Sequence, residues 1–372
     1  MHCKHFGVCG GCTLPGVPYD EQLAKKRSEL SRLLRMDVPP LIPSPSESGF
    51  RSKVSFVFAN AVMGHYALKS QRVIPIDECP VHHERGNRIA FALESVFARF
   101  ARSGGPGSIR ALLRHVIIRT TQDGREATAM LVVARNDTAL RAPVRKFLAS
   151  ADRPDGFFLN IHDRPGPYMV GDETFKIEGR SHVKEVVAGV SYLVSPTAFF
   201  QTNVGAAAEL VKIVLEEIDK PKGLSPHVLD LYCGSGLFSL QMAKAGAKVT
   251  AVEENRQAIA DAEANVRLNR MPPSQIRFVA GRVEDALSRL GRDAWDAVVL
   301  DPPRQGCPPT VLSAVFERIR PARVVYVSCN PDALAEELPG ILKTGYRVSR
   351  VQPVDMFPHT NHIETVMALT RQ

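Results

Sequence analysis

Three groups of residues in this chain of 372 residues have the types and spacing to do chemistry. The first is a thiol. Cys329 follows the apolar run Val324-Val325-Tyr326-Val327 and precedes Asn330-Pro331. The run is short and β-branched, and charge and Pro bound it, so it reads as a buried strand of a parallel sheet. Pro331 cannot donate to a ladder, so the strand stops there. Ligands of open α/β sheets bind outside the carboxyl ends of the strands. Cys329 therefore lies where a nucleophile is useful. A free Cys taken alone is more often a small buried hydrophobe; its neighbours decide otherwise. The second group is Cys3, Cys9 and Cys12, spaced C-x5-C-G-G-C, with Cys79 in Glu78-Cys79-Pro80. Gly10 and Gly11 let the backbone fold tightly enough for the sulfurs to converge. Four thiolates suit tetrahedral zinc or an iron–sulfur cluster. Zinc sites more often use paired C-x2-C knuckles, and one such pair occurs here, which favours a cluster. The third group is Asp230-Leu231-Tyr232-Cys233-Gly234-Ser235-Gly236, which leaves a strand and opens a helix. Glycines such as Gly234 let the backbone approach a ligand closely. A nicotinamide site would want a third Gly at Ser239. Glu253 ends the next strand, 17 residues beyond Gly236, where an acid can accept both ribose hydroxyls. Cys233 reads as structural and Cys307 as incidental.

The elements that must position these groups fall into two patterns. From about residue 196, strand-like and helix-like segments alternate, as in a doubly wound sheet. The expected strands are Val228–Tyr232, Lys248–Glu253, Ile276–Ala280, Ala297–Asp301, Val324–Ser328, Arg347–Val351 and Ile363–Leu369. Seven strands in this order fit the α/β class I methyltransferase fold better than a six-stranded dinucleotide fold. Asp230 before G-x-G, followed by a strand-ending acid, resembles the S-adenosylmethionine site of that class. Asp301-Pro302-Pro303-Arg304 ends the fourth strand. Enzymes that methylate exocyclic amines often carry an aromatic residue where Arg304 stands, which argues against amine methylation. Before residue 196, short strands (Val54–Phe58, His115–Thr120, Ala127–Val133, Phe157–Ile161) alternate with turns and with helices at 88–102 and 138–150. Asp123-Gly124 marks a hairpin. This half reads as α+β and mostly antiparallel. Leu23, Leu30, Leu33 and Leu34 predict an amphipathic helix over Asp20–Arg35, capped by Asp20. Gly49-Phe50-Arg51-Ser52-Lys53-Val54-Ser55-Phe56 reads as a basic strand with interleaved aromatics, a pattern that suits a nucleic-acid surface. The expected domains are 1–85, holding the thiol segment and the start of an RNA-binding domain, 86–195, its α+β remainder, and 196–372, the methyltransferase domain.

Composition bounds the rest. At 44% hydrophobic and 23% charged, the chain is an ordinary globular protein. No apolar run reaches the ~18 residues of a membrane span, and the N-terminus lacks an apolar signal region. A soluble cytoplasmic protein without a membrane partner is expected, and in a reducing compartment its seven Cys read as ligands or nucleophiles rather than disulfides. Residues 1–195 hold 27 Lys and Arg against 19 Asp and Glu, the whole of the net charge of +8. A basic half joined to a neutral half suggests a polyanion held by one and worked on by the other.

Jointly the motifs resemble one family over nearly the whole chain, the RNA uracil-5-methyltransferases. The resemblance rests on the four Cys; on Gly49-Phe50-Arg51; on Phe199-Phe200-Gln201-Thr202-Asn203; on Asp230 to Gly236; on Asp301 to Arg304; on Ser328-Cys329-Asn330-Pro331; and on Met356-Phe357-Pro358-His359-Thr360-Asn361-His362-Ile363-Glu364. It implies cofactor contacts at Gln201, Tyr232, Gly234, Glu253 and Asp301, a nucleophile at Cys329, a general base at Glu364 and a 4Fe-4S cluster on Cys3, Cys9, Cys12 and Cys79. Arg282 stands where one branch has an Asn that contacts the cofactor. Some members begin with an OB-like RNA-binding domain; this chain starts at the thiols and so resembles the shorter, 23S ribosomal RNA branch, with tRNA as the alternative substrate and a monomer expected. The chemistry fits the residue types. Carbon 5 of uracil is a poor nucleophile until a thiolate adds at carbon 6. A free Cys has a pKa of ~8.5 and needs activation. A carboxylate must then take the carbon 5 proton, and the base must be turned out of the RNA to reach the thiol. His359 and His362 read as satisfied polar residues. A non-catalytic RNA-binding module is disfavoured by intact Cys329 and Glu364, and a nicotinamide oxidoreductase by the missing third Gly.

Overall fold

Burial alternates along Lys53–Ala59 and is unbroken along Ala297–Leu300. The first pattern suits a strand with two unlike faces, the second a strand covered on both. The computed structural model describes residues 1–372 except 15, 61, 103–108, 165–168, 219–224 and 291–294. In chain order the elements are α1 Tyr19–Leu34, β1 Lys53–Ala59, β2 Val62–Tyr66, β3 Val73–Pro75, α2 Glu84–Arg102, β4 Leu113–Thr120, β5 Ala127–Val133, α3 Arg141–Leu148, β6 Gly156–Ile161, β7 Glu173–Gly179, β8 Val183–Val187 and β9 Val190–Val194. Then follow α4 Val204–Ile218, β10 His227–Leu231, α5 Leu237–Lys244, β11 Lys248–Glu253, α6 Arg256–Leu268, β12 Ile276–Ala280, α7 Val283–Arg289, β13 Ala297–Leu300, α8 Pro309–Ser313, β14 Arg323–Ser328, α9 Pro331–Lys343, β15 Tyr346–Val354 and β16 Glu364–Arg371. Among the described residues no helix is long and apolar enough to cross a membrane.

The first sheet has the order β3-β2-β1-β4-β5-β6-β7. All its pairings are antiparallel except β5 with β6, whose connection carries α3 across the sheet, as a parallel pair requires. Asp123-Gly124 forms the β4–β5 turn, with Gly124 at φ +69°. Apolar residues of β1, β4, β5 and β6 pack under α2 and α3. The second sheet has the order β12-β11-β10-β13-β14-β16-β15. Its strands run parallel except β16, which is antiparallel to both neighbours. One face packs against α4, α5, α6 and the β8–β9 hairpin. The other packs against α1, α7 and α9. This is the seven-stranded class I methyltransferase sheet behind an α+β unit.

Packing departs from the expected segmentation at both ends of the first unit. The buried stripe of α1 is Gln22, Lys26, Leu30 and Leu34, four residues apart. Leu30 and Leu34 enter the core of the second sheet together with Val38 and Leu41. The β8–β9 hairpin also sides with the second sheet. One face of α6 offers Asn269, Asn265 and Asp261 to the backbone N–H groups of Ser191, Leu193 and Ser195. Helix α1 and the β8–β9 hairpin thus pack with the second sheet, the hairpin through polar side chains that bind backbone and leave no apolar period in the sequence. Two local readings also change. Asp20 lies inside the first turn of α1, whose N-cap is Pro18. Of the basic stretch Gly49–Phe56, the residues from Lys53 on belong to β1, which lies inside the sheet between β2 and β4.

Candidate active site

Strands β10, β11, β13 and β14 end side by side, so the residues that follow them meet at one edge of the sheet. Leu231 pairs with Val252 and Leu300, and Leu300 with Tyr326. Asp230 is fully buried, and its carboxylate accepts a short hydrogen bond from Ser239 Oγ at 2.5 Å. Its other oxygen has no partner. Tyr232, Gly234 and Gly236 all hold positive φ, at 66°, 54° and 86°. Glycine adopts this left-handed region without strain. A side chain at Gly236 would also strike Leu240. Glu253 closes the loop from the next strand. One of its oxygens accepts from Gly234 N at 3.0 Å and the other from Asn255 N at 2.8 Å. The Tyr232 hydroxyl is buried without a partner. Gln201 is buried on the segment before α4 and hydrogen-bonds to no described residue. Its neighbours tie the two sheets together: Ser52 N donates to Thr202 O at 2.8 Å, and Arg119 donates to Ala198 O at 2.8 Å. Arg282 is exposed at the start of α7 and pairs with Glu284 at 3.1 Å.

Cys329 leaves β14 half-buried. Glu364 opens β16 at 3% exposure. Ser328 pairs with Thr365, so the antiparallel ladder brings thiol and carboxyl together. Burial, then the Glu364 and Asp301 charges, push the Cys329 thiol up to about 11, while Arg304 pulls it down. Burial, then Asp301, push Glu364 up to about 8, again opposed by Arg304. Asp230 and Asp301 rise to about 7, chiefly through burial. Clustered carboxyls whose charged forms lack solvent favour a cationic guest. Asn330 holds the layout: its amide donates to Arg304 O at 2.8 Å, and its oxygen caps α9. Glu337 of α9 accepts from Cys307 N and Tyr326 OH, both at 2.8 Å. Cys307 and Cys233 are buried, and burial raises both thiols, Cys307 to about 12.

The loop before Glu364 is fixed by residues with no motif to announce them. Lys26 pairs with Asp355 at 2.7 Å, both fully enclosed, and donates to Phe357 O. Gln22 accepts from His359 N and bonds its Nδ1. His359 Nε2 meets Glu47 O at 3.0 Å, so both ring nitrogens are satisfied. His362 is exposed and packs edge-on against Phe357. Thr13 N and Leu14 N donate to His359 O, and Asn361 N donates to Thr13 Oγ1. The sequence signal for Gln22 and Lys26 is their place two turns and one turn before Leu30.

Cys3, Cys9, Cys12 and Cys79 line one cavity of about 350 Å³ with Arg51, His65 and His82. The CGGC turn is pinned by Gly10 N donating to Tyr66 O at 2.9 Å. Burial raises the thiols of Cys12 and Cys79, to about 11 and 12. Arg51 Nε and His82 Nδ1 are buried without partners. Among the described residues, His65, Cys79 and His82 are the one group close enough to hold a single ion. Arg51 therefore faces thiols instead of solvent, and its guanidinium sits 5.9 Å from the Phe357 ring.

A model of the tRNA (uracil-5-)-methyltransferase family matches residues 172–372. An uncharacterized RNA methyltransferase of Geobacter sulfurreducens is 33% identical over all of this chain and 77% of its own length. One of Thermosynechococcus vestitus is 33% identical over 99% of this chain and 84% of its own. The crystal structure of Pyrococcus abyssi tRNA (uracil-54, C5)-methyltransferase in complex with S-adenosyl-L-homocysteine superposes with a TM-score of 0.80 and 28% identity. It covers 98% of this chain and 86% of that one. With the strand-end thiol, the buried carboxyl beside it and the glycine loop sharing one sheet edge, these matches identify the chain as a member of the tRNA (uracil-5-)-methyltransferase family.

Proposed function

We propose that the protein transfers a methyl group from S-adenosylmethionine to carbon 5 of a uridine in 23S ribosomal RNA, through a covalent adduct between Cys329 and carbon 6. The observation that carries this reading is that Cys329 and Glu364 lie one residue past the Ser328–Thr365 rung, close enough for the Glu364 charge to raise the thiol, at the sheet edge that carries the Tyr232–Gly236 loop. S-adenosylmethionine supplies an electrophilic methyl group on a cationic sulfonium. Glu253 suits its ribose hydroxyls, Gly234 gives it close backbone approach, and Asp301, Tyr232 and Gln201 complete the pocket. A cation among Asp230, Asp301 and Glu253 offsets the negative charge that holds the Cys329 proton. Cys329 then gives its proton to solvent, and the thiolate bonds to carbon 6, pushing the C5–C6 electron pair toward carbon 5 and making it nucleophilic. Carbon 5 takes the methyl group, leaving a neutral thioether. Glu364 removes the carbon 5 proton; the freed electron pair restores the C5–C6 double bond and expels Cys329 as thiolate. The P. abyssi likeness favours tRNA as a second substrate reading. Mass mapping of ribosomal and transfer RNA from cells with and without the gene tests both. Loss of a 5-methyluridine from 23S RNA supports the first, loss from tRNA replaces it with the second, and loss from neither overturns the activity.

The thiol cavity fits a 4Fe-4S cluster held by Cys3, Cys9, Cys12 and Cys79. Its volume exceeds that of one ion, and the orphaned Arg51 Nε and His82 Nδ1 are donors suited to thiolate and sulfide acceptors. The cluster would supply a structural cross-link between the N-terminal segment and the first sheet.

A further inference from the structure

A second cavity, a groove of about 660 Å³, opens between α3 and the edge strand β7. Its floor includes Leu140, Val144, Leu159 and Ile177, and Arg141 and Arg145 stand over it. Every residue of β7 is exposed, with Ile177 at 47% and Phe175 at 44%. An apolar strand face left open beside a groove marks a contact surface. Arg141 and Arg145 are one turn apart on α3 and exposed, and neither side chain has an ion pair or hydrogen bond among the described residues. Like charges at this spacing repel within a helix, so an anion between them relieves a standing cost. The acids lining the groove are engaged: Asp137 accepts from Ala139 N and pairs with Arg135 at 3.2 Å, and Glu178 faces Arg153 at 3.9 Å.

We propose that this groove holds a nucleotide of the substrate RNA outside the target position. The apolar floor takes a base, and Arg141 and Arg145 take flanking phosphates. The inference rests on the RNA reading above and adds a site that the catalytic residues do not need. Nucleic acid is favoured over a protein partner because residues 1–195 hold the entire net charge of +8. Bases also stack on apolar and guanidinium surfaces with little sequence preference.

The test uses the full chain, with the double variant Arg141→Glu/Arg145→Glu and the single variant Ile177→Ser. Binding to total ribosomal RNA and to tRNA is measured across salt concentrations, beside methylation kinetics and cofactor affinity. The double variant is expected to raise Kd and KM for RNA at least tenfold and to lower the log–log salt slope by about 1.5, since each lost phosphate contact removes about 0.7–0.9. Cofactor affinity should not change. Ile177→Ser, at an exposed position, should weaken RNA binding while leaving the salt slope alone. If the unaltered protein methylates no RNA, the activity reading fails and the binding measurements still judge the groove. If it methylates RNA and the double variant keeps wild-type Kd, KM and slope, the groove proposal falls and the surface is left to a protein partner.

Discussion

Glu364 sits near Cys329 because β16 runs against β14: Ser328 faces Thr365 at the last rung of the ladder, Cys329 and Glu364 lie one residue beyond it, and the Glu364 charge raises the thiol. Side chains opposite each other on an antiparallel pair share a face and lie about 5 Å apart at Cβ. The one reversed strand of the second sheet thus delivers a carboxyl to a thiol 35 residues earlier in the chain.

Separate roles for the two residues predict opposite outcomes on mutation. Glu364→Gln keeps the shape but accepts no proton at neutral pH. It should lower turnover about 10²–10⁴-fold and accumulate an RNA-linked species on denaturing gels. Cys329→Ala should give neither adduct nor methylation, yet bind S-adenosylmethionine. RNA carrying 5-fluorouridine should trap the unaltered enzyme, since fluorine cannot leave as a cation. An adduct formed by Cys329→Ala would move the nucleophile to another thiol.

The raised carboxyl at Glu364 sets a pH dependence. Its base form grows as pH rises through about 8, so turnover should climb up to tenfold per unit below that value. Stability runs the other way. A carboxyl held more tightly protonated in the folded state contributes stability that is complete below the ordinary carboxylate range and lost as pH rises toward 8. Glu364→Gln should lessen the fall in Tm between pH 5 and pH 8 measured by calorimetry. An identical fall in both proteins would show that Glu364 does not titrate there.

The thiol cavity and the loop before Glu364 share a boundary at Thr13 and Leu14. Protein purified without oxygen should be brown, with iron and sulfide in equal amounts. Cys12→Ser should lose that colour and speed amide hydrogen exchange over residues 359–362, which the 13–14 segment clamps. A colourless protein holding one zinc per chain would replace the cluster with the His65–Cys79–His82 group.

Lys26 and Asp355 form a buried pair, and removing one partner leaves an uncompensated charge. Lys26→Met should cost about 3–5 kcal/mol in denaturant unfolding. Lys26→Met/Asp355→Leu should regain much of it. A loss below about 1 kcal/mol in the single variant would mean that Asp355 takes up a proton at little cost.

What the sequence determined by itself was whatever short-range pattern controls. The central strands β10, β11, β13 and β14 read off as apolar, mostly β-branched runs, because burial on both faces demands them. The Asp230–Gly236 loop was legible because positive φ at Gly234 and Gly236 favours glycine, and Glu253 because an acid ends the next strand. Tertiary structure decided what depends on pairing and on polar burial. The register of β16 against β14 is fixed by the whole sheet, and it joins Cys329 to Glu364. Arg51 looked like a surface cation, but it precedes β1, bridges to His82 and lines the thiol cavity. Gln22 and Lys26 lie outside the leucine pattern that predicts the first helix, yet they are buried against His359 and Asp355. A buried polar residue is held by a partner hundreds of residues away, and hydrophobic periodicity carries no record of that partner.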